Sequence, residues 1–236
     1  MFTKWFAGKS EDGFLSIGDI RSDEKRDLKS IHDEFKRGFD FIQKYPKTVT
    51  FFGSARFAAG TEHYEEARTL AGKIVKSIGY TVVTGGGPGI MEAANRGAFE
   101  AEGSSVGMTI HLPHEQRSNQ YVQETAEFQY FFSRKTLLTF SAEAFIFFPG
   151  GFGTLDELFD VLTLVQTGKI PKVPIIMVGR DYWDALDSFI KQQLLTTHHT
   201  ISPDDVNLYH ILDDHEQIID LIRNTPVKNW WKEFQK

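Results

Sequence analysis

Residues Tyr80–Ile90 read YTVVTGGGPGI, and residues Phe145–Thr154 read FIFFPGGFGT. In each stretch a short apolar, β-rich run ends in a cluster of glycines and a helical pattern follows at once. After Gly89 that pattern spans Ile90 to Glu102, and after Thr154 it continues to about Gln166. A strand that turns through glycine into a helix is the repeating joint of a parallel α/β sheet.

The alternation extends outward from both joints. Lys47–Phe52 is a strand-like run ending at Gly53-Ser54, and Tyr64, Ala67, Leu70, Ala71, Ile74 and Ile78 then fall at helical spacing. Ser105–Ile110 supplies another strand, and after a polar segment with His111, His114 and Arg117 a strand is expected over Glu127–Phe132, then a helix over Arg134–Ser141. Beyond the second joint come a strand at Val173–Val178 and a helix over Tyr182–Leu195. Apolar strands joined by helices imply right-handed crossovers and a sheet covered on both faces, a doubly wound, Rossmann-like α/β fold in a single domain.

Ahead of this core, Leu28, Ile31, Phe35, Phe39 and Ile42 are spaced by threes and fours and predict a long amphipathic helix. Ser22 followed by Asp23 and Glu24 is the expected cap and first turn, and Pro46 the stop. The organisation read from the chain is an N-terminal extension over 1–22, one α/β domain over 23–222 and a tail over 223–236. In the tail, Trp230, Trp231 and Phe234 serve either an oligomer contact or an anchor on the core.

The chain has 236 residues, no cysteine and a formal net charge of −6. The length suits one domain, and the lack of cysteine removes disulfides, thiolate metal sites and cysteine nucleophiles. Residues 1–22 interleave Phe2, Trp5, Phe6 and Phe14 with Lys4, Lys9, Glu11 and Asp12, unlike a secretory signal, and no apolar run has the length of a membrane span. A cytoplasmic protein without a membrane partner is the expectation. The acidic balance opposes binding of polymeric nucleic acid, but aligned backbone N–H groups and one arginine suffice for a small phosphorylated ligand.

Both glycine joints fall at the carboxyl edge of the expected sheet, where open α/β folds bind ligands and helix N-termini face an anion. Neither has the GxGxxG or GxxxxGK[ST] spacing, which argues against NAD and ATP. One glycine turn alone is as well explained by tight chain reversal; two at one edge favour a ligand. Glu157, three residues after Thr154, is either a chemical carboxylate or a cap for the following helix, a role that Asp156 can also fill. His111 with His114, and the adjacent His198-His199, lack a third ligand at metal spacing, so no metal is expected.

PGGFGTLDE, Pro149–Glu157, resembles the PGGxGTxxE motif of the Lonely Guy (LOG) family of nucleotide phosphoribohydrolases at every fixed position. GGGPGIMEAANRGA, Gly85–Ala98, resembles the family's first glycine loop, and SRKTLL, Ser133–Leu138, its arginine-bearing segment. The resemblance covers roughly residues 47–195. It implies hydrolysis of the N-glycosidic bond of AMP or N6-modified AMP, a cytokinin riboside 5′-monophosphate, to a free purine base and ribose 5-phosphate. It further implies a purine nucleoside 5′-monophosphate as ligand, no cofactor, and a homodimer or a higher assembly of it.

Carried onto this chain, the resemblance makes Arg134 and Glu157 catalytic. It assigns Gly150, Gly151, Gly153 and Thr154 to the 5′-phosphate, with Gly53, Ser54, Gly86, Gly87 and Lys135 closing the pocket. Cleaving a ribosyl C–N bond builds positive charge on the sugar and negative charge on the leaving base, which suits a carboxylate and a guanidinium. Glu157 can stabilise the sugar cation, engage its hydroxyls or orient water. Phe131-Phe132-Ser133 stands where plant-type members carry Met-His-Glu, a departure on the expected base side.

Two other readings share these motifs. A non-catalytic carrier of a nucleotide or of molybdenum cofactor would use the same fold and pocket. Relatives have also been labelled possible lysine decarboxylases, but amino-acid decarboxylation needs an electron sink such as lysine-bound pyridoxal phosphate, for which the chain has no independent motif.

Overall fold

The computed structural model describes residues 17–110 and 118–225. His111, His114, Arg117, Trp230, Trp231 and Phe234 therefore lie outside the described residues. The elements in chain order are α1 (Ile17–Ile42), β1 (Thr48–Phe52), α2 (Glu62–Ile78), β2 (Thr81–Thr84), α3 (Ile90–Glu100), β3 (Ser105–Ile110), β4 (Glu124–Phe128), α4 (Phe131–Ser141), β5 (Ala144–Phe147), α5 (Phe152–Gln166), β6 (Ile175–Met177), α6 (Arg180–Phe189), β7 (His210–Ile211) and α7 (His215–Asn224). A π-helical segment, Ile190–Thr197, continues from α6, and a 3-10 turn spans Pro203–Asn207.

The seven strands form one sheet in the order β4-β3-β2-β1-β5-β6-β7, with every pairing parallel. From β1 the chain winds outward through β2, β3 and β4, then returns to β1's other side with β5. The order therefore reverses between β1 and β5, which pair from Val49↔Ala144 to Phe52↔Phe147. Crevices outside the strand ends at such reversals are where open α/β sheets hold ligands.

Two-residue alternation splits the core. Phe52, Val83, Phe145 and Phe147 pack on the face that carries Leu137, Leu158 and Trp183. Phe51, Val82, Ile146 and Phe148 pack on the other, with Leu70, Ile74, Ile90 and Ile218. Among the described residues no helix is long and apolar enough to cross a membrane.

Several expectations need correcting. Ser22 lies inside α1, which begins at Ile17, so it is not the cap, and the helix runs through the expected 22/23 boundary. The side of α1 pressed hardest on the protein is Glu34, Gly38, Phe41 and Ile42, whereas Leu28 stays exposed. The cause is close approach: a Cβ at Gly38 would stand 1.7 Å from Leu137 Cδ1, so α1 meets α4 at that glycine. The strand expected over Glu127–Phe132 is β4 at Glu124–Phe128, because Phe131 and Phe132 already open α4.

Candidate active site

The loops after β1, β2 and β5 are joined directly. Ser54 N–H donates to the Pro149 carbonyl at 3.0 Å, and Ile90 N–H donates to the Ser54 carbonyl at 3.0 Å. That second bond needs glycine at 89, where φ is +71° and a Cβ would lie 2.3 Å from Ser54 O. The N-termini of α3 and α5 consequently flank the end of β1. The Ser54 hydroxyl accepts from Arg56 N–H at 3.1 Å and so shapes its own loop.

In α5 the first turn is Phe152, Gly153 and Thr154, and the first helical bond runs from Leu155 N–H to the Gly151 carbonyl at 3.1 Å. Its leading N–H groups are the unpaired donors of a helix start. A Cβ on Gly151 or Gly153 would meet nothing within 4 Å, so packing within the chain does not demand glycine there. Gly150 differs: a Cβ would lie 2.0 Å from Thr154 Oγ1, and its carbonyl accepts from the Tyr182 hydroxyl at 2.6 Å. Neither Asp156 nor Glu157 lies in the first turn, and no side chain caps the helix, which removes the capping role considered for both.

The first glycine loop is held by a buried polar network. Gly86 N–H donates to Thr84 Oγ1 at 2.9 Å, and the Thr84 hydroxyl donates to Asn95 Oδ1 at 2.6 Å. Asn119 Nδ2 donates to the carbonyls of Gly86 at 3.2 Å and Gly87 at 3.0 Å, and to Asn95 Oδ1 at 3.0 Å. The N–H of Gly86 is thus engaged within the protein. Thr84, Asn95, Asn119 and Tyr182 were not singled out from the sequence. Asn95 had a signal, a lone amide among the alanines and glycine of GIMEAANRGA; Asn119 and Tyr182 had none.

Arg134 donates from Nε to the Met108 carbonyl at 2.7 Å and from a terminal nitrogen to the Gly85 carbonyl at 3.5 Å. A Cβ at Gly85 would stand 2.1 Å from that terminal nitrogen, so the guanidinium lies directly against the glycine loop. Burial lowers its pKa, and the charge of Glu157 acts in the opposite direction. Among the described residues no ion pair within 4 Å joins Arg134 to Glu157, yet each senses the other's charge.

Glu157 has one carboxyl oxygen, Oε2, that is buried without a hydrogen-bond partner. Burial pushes its pKa up to about 7; Lys135 and Arg134 restrain the rise, while Asp156 and Asp160 add to it. Lys135 pairs with Asp156 at 2.6 Å. Burial alone would pull the Lys135 pKa down, but the bond to Asp156 and the charges of Glu157, Asp156 and Asp160 leave it raised. Of the departures before Arg134, Ser133 is buried with its hydroxyl on Glu34 Oε2, and Phe132 packs on Phe35 and Tyr130.

A family model described as possible lysine decarboxylase matches residues 91–222. The chain is 29% identical over 150 residues to the cytokinin riboside 5′-monophosphate phosphoribohydrolase of Rhodococcoides fascians, covering 62% of this chain and 75% of that protein. It is 31% identical over 143 residues to the protein of the same name from Mycobacterium marinum, covering 58% and 76%. A molybdenum cofactor carrier protein from Chlamydomonas reinhardtii superposes with a TM-score of 0.56 at 20% identity, covering 77% of this chain and 99% of that one. DNA processing protein A from Streptococcus pneumoniae gives 0.52 at 11% identity, covering 76% and 62%. The two superpositions show the fold.

Proposed function

The chain belongs to the LOG family, whose model carries the description possible lysine decarboxylase, and from that premise we propose that it hydrolyses the N-glycosidic bond of a purine nucleoside 5′-monophosphate, AMP or N6-modified AMP. The observation that carries this reading is the half-buried Glu157, with its Oε2 buried and unpartnered, beside the helix start of α5 and within electrostatic reach of Arg134. A group titrating near 7 is poised to exchange protons at neutral pH.

In the proposed reaction the 5′-phosphate sits on the N–H groups at the start of α5, where Gly151 and Gly153 leave the approach open. Water adds to C1′ and passes a proton to Glu157 as the C1′–N9 bond breaks. The bonding electrons go to the purine, whose growing negative charge Arg134 stabilises, and the purine takes up a proton on release. The sum is nucleotide plus water to base plus ribose 5-phosphate. No cofactor enters the scheme.

The ion pair with Asp156 favours the ammonium form of Lys135, whereas a lysine that forms Schiff bases needs its amine free. This speaks against pyridoxal-type decarboxylation. We also place the protein in the cytoplasm as a homodimer; Phe152, 94% exposed, and Phe159, seven residues on along the same side of α5, are the apolar groups that support a contact there.

The test is chromatography after incubation with AMP, N6-isopentenyl-AMP, adenosine and ATP. Base release from the monophosphates alone is expected, and their relative rates give the base preference. Tight retention of a nucleotide without base release would favour the carrier reading.

A further inference from the structure

Glu34 is 1% exposed, on a helix outside residues 91–222 that match the family model. Buried acids need a reason. Among the described residues no cation pairs with Glu34 within 4 Å; its partners are neutral donors. Gln129 N–H donates to Oε1, and the Ser133 hydroxyl donates to Oε2 at 2.5 Å.

Ser133 lies in the first turn of α4, and Gln129 lies between β4 and the N-cap residue Tyr130. Tyr130 occupies the N-cap position and makes no side-chain cap bond, so this helix lacks a capping acceptor of its own. From α1, Glu34 holds the Ser133 side chain within that turn and the Gln129 N–H just ahead of it. One turn further along both helices, Gly38 receives Leu137, so two successive turns of α1 are keyed to two successive turns of α4. A cleft of about 690 Å³ opens between α1 and β4, and Glu34, Gly38 and Gln129 line it together with Arg37, Lys44 and Glu127.

The residue after Ser133 is Arg134, whose guanidinium is fixed by a 2.7 Å bond to Met108 O. We propose that Glu34 is a positioning residue: by fixing the first turn of α4 it sets where the Arg134 guanidinium stands, which makes α1 a working part of the site. This rests on the phosphoribohydrolase reading for its effect on turnover, though not for its geometry. Ser133 is the group through which the carboxyl of another helix reaches this turn.

The test compares Glu34→Ala, Glu34→Gln and Ser133→Ala in the full chain. Glu34→Ala is expected to lower kcat for AMP about 10- to 100-fold, the scale of a sub-ångström to ångström misplacement, with KM within about threefold because the phosphate loops are untouched. Glu34→Gln can accept from Gln129 N–H and donate to Ser133 Oγ, so it is expected to restore kcat to within about threefold of the parent. If Glu34→Ala does not fold, Ser133→Ala takes its place, with an expected kcat loss of about three- to tenfold. A folded variant whose kcat per folded molecule is unchanged, or a loss that Gln does not rescue, overturns the proposal.

Should the parent protein release no base from any nucleotide, the functional reading fails on its own, and amide hydrogen exchange then decides on Glu34. Ser133→Ala is expected to speed exchange across residues 129–135 about tenfold while α3 and α5 stay as in the parent. Unchanged exchange across 129–135 overturns the positioning role.

Discussion

Lys135 and Asp156 close a 2.6 Å ion pair between α4 and α5, and each is the chain neighbour of a proposed catalytic group, Arg134 and Glu157 respectively. Asp156 is largely exposed, so the pair itself contributes little to stability, at most about 1 kcal/mol. Its effect is on the carboxyl next door. Asp156 raises the pKa of Glu157, and neutralising it removes that influence. Asp156→Asn is therefore expected to move the acidic limb of the pH profile of kcat/KM for AMP to lower pH, with melting almost unchanged. A limb that stays in place or moves upward counts against the coupling.

Glu157→Gln keeps the shape of the side chain and removes its titration. Turnover of AMP is expected to fall by about 100-fold or more while AMP still binds, since general-base catalysis typically contributes that much. Calorimetric binding and a turnover assay on the same preparation check both halves.

The same substitution has a stability signature whose sign follows from linkage. Folded Glu157 titrates near 7 against an ordinary 4.5, so the folded state holds the proton more tightly. Its contribution to stability is present below about 4.5 and is lost as pH rises through 7. Glu157→Gln cannot ionise and escapes that loss. Its melting temperature relative to the parent protein is expected to increase between pH 5 and pH 8, as measured by thermal scans across that range; a flat difference would contradict the burial-driven shift.

Gly151→Ala and Gly153→Ala separate folding from binding. Neither Cβ meets an atom of the chain and neither glycine has positive φ, so stability should hold or rise by about 0.4–1 kcal/mol. If the 5′-phosphate approaches these positions, KM for AMP rises about tenfold or more through loss of close contact. Stable variants with unchanged KM would take the phosphate off this loop.

Asn119→Ala leaves the Gly87 carbonyl without its partner and takes one donor from Gly86 O and one from Asn95 Oδ1. A cost of about 1–3 kcal/mol is expected in denaturant unfolding, together with a higher KM as the loop loosens.

Much of the sheet was legible because its signals are local: β1, β2, β5 and β6 are short β-rich runs closed by glycine, and the alternation of Phe51 with Phe52, or Ile146 with Phe147, sorts side chains onto two faces. The glycine clusters pointed to the carboxyl edge of the sheet, and the strand order reverses there between β1 and β5. Other features depend on contacts that periodicity does not carry. β4 was expected three residues late because the aromatic run Phe128–Phe132 has strand character, while Phe131 and Phe132 belong to the helix whose Ser133 bonds Glu34. β7 has two residues, too few to show a pattern, and lies beyond the stretch that the motifs cover. The spacing of Leu28, Ile31, Phe35, Phe39 and Ile42 does not mark Glu34; its burial follows from the approach of α1 to α4 at Gly38, a tertiary relationship.

The most direct measurement is a single incubation of the purified protein with AMP, quantifying adenine and ribose 5-phosphate together and running Glu157→Gln beside it. Equal amounts of the two products are expected from the parent protein and a loss of about 100-fold or more in the variant. No adenine above the blank from the parent protein, or equal release by the variant, would contradict it.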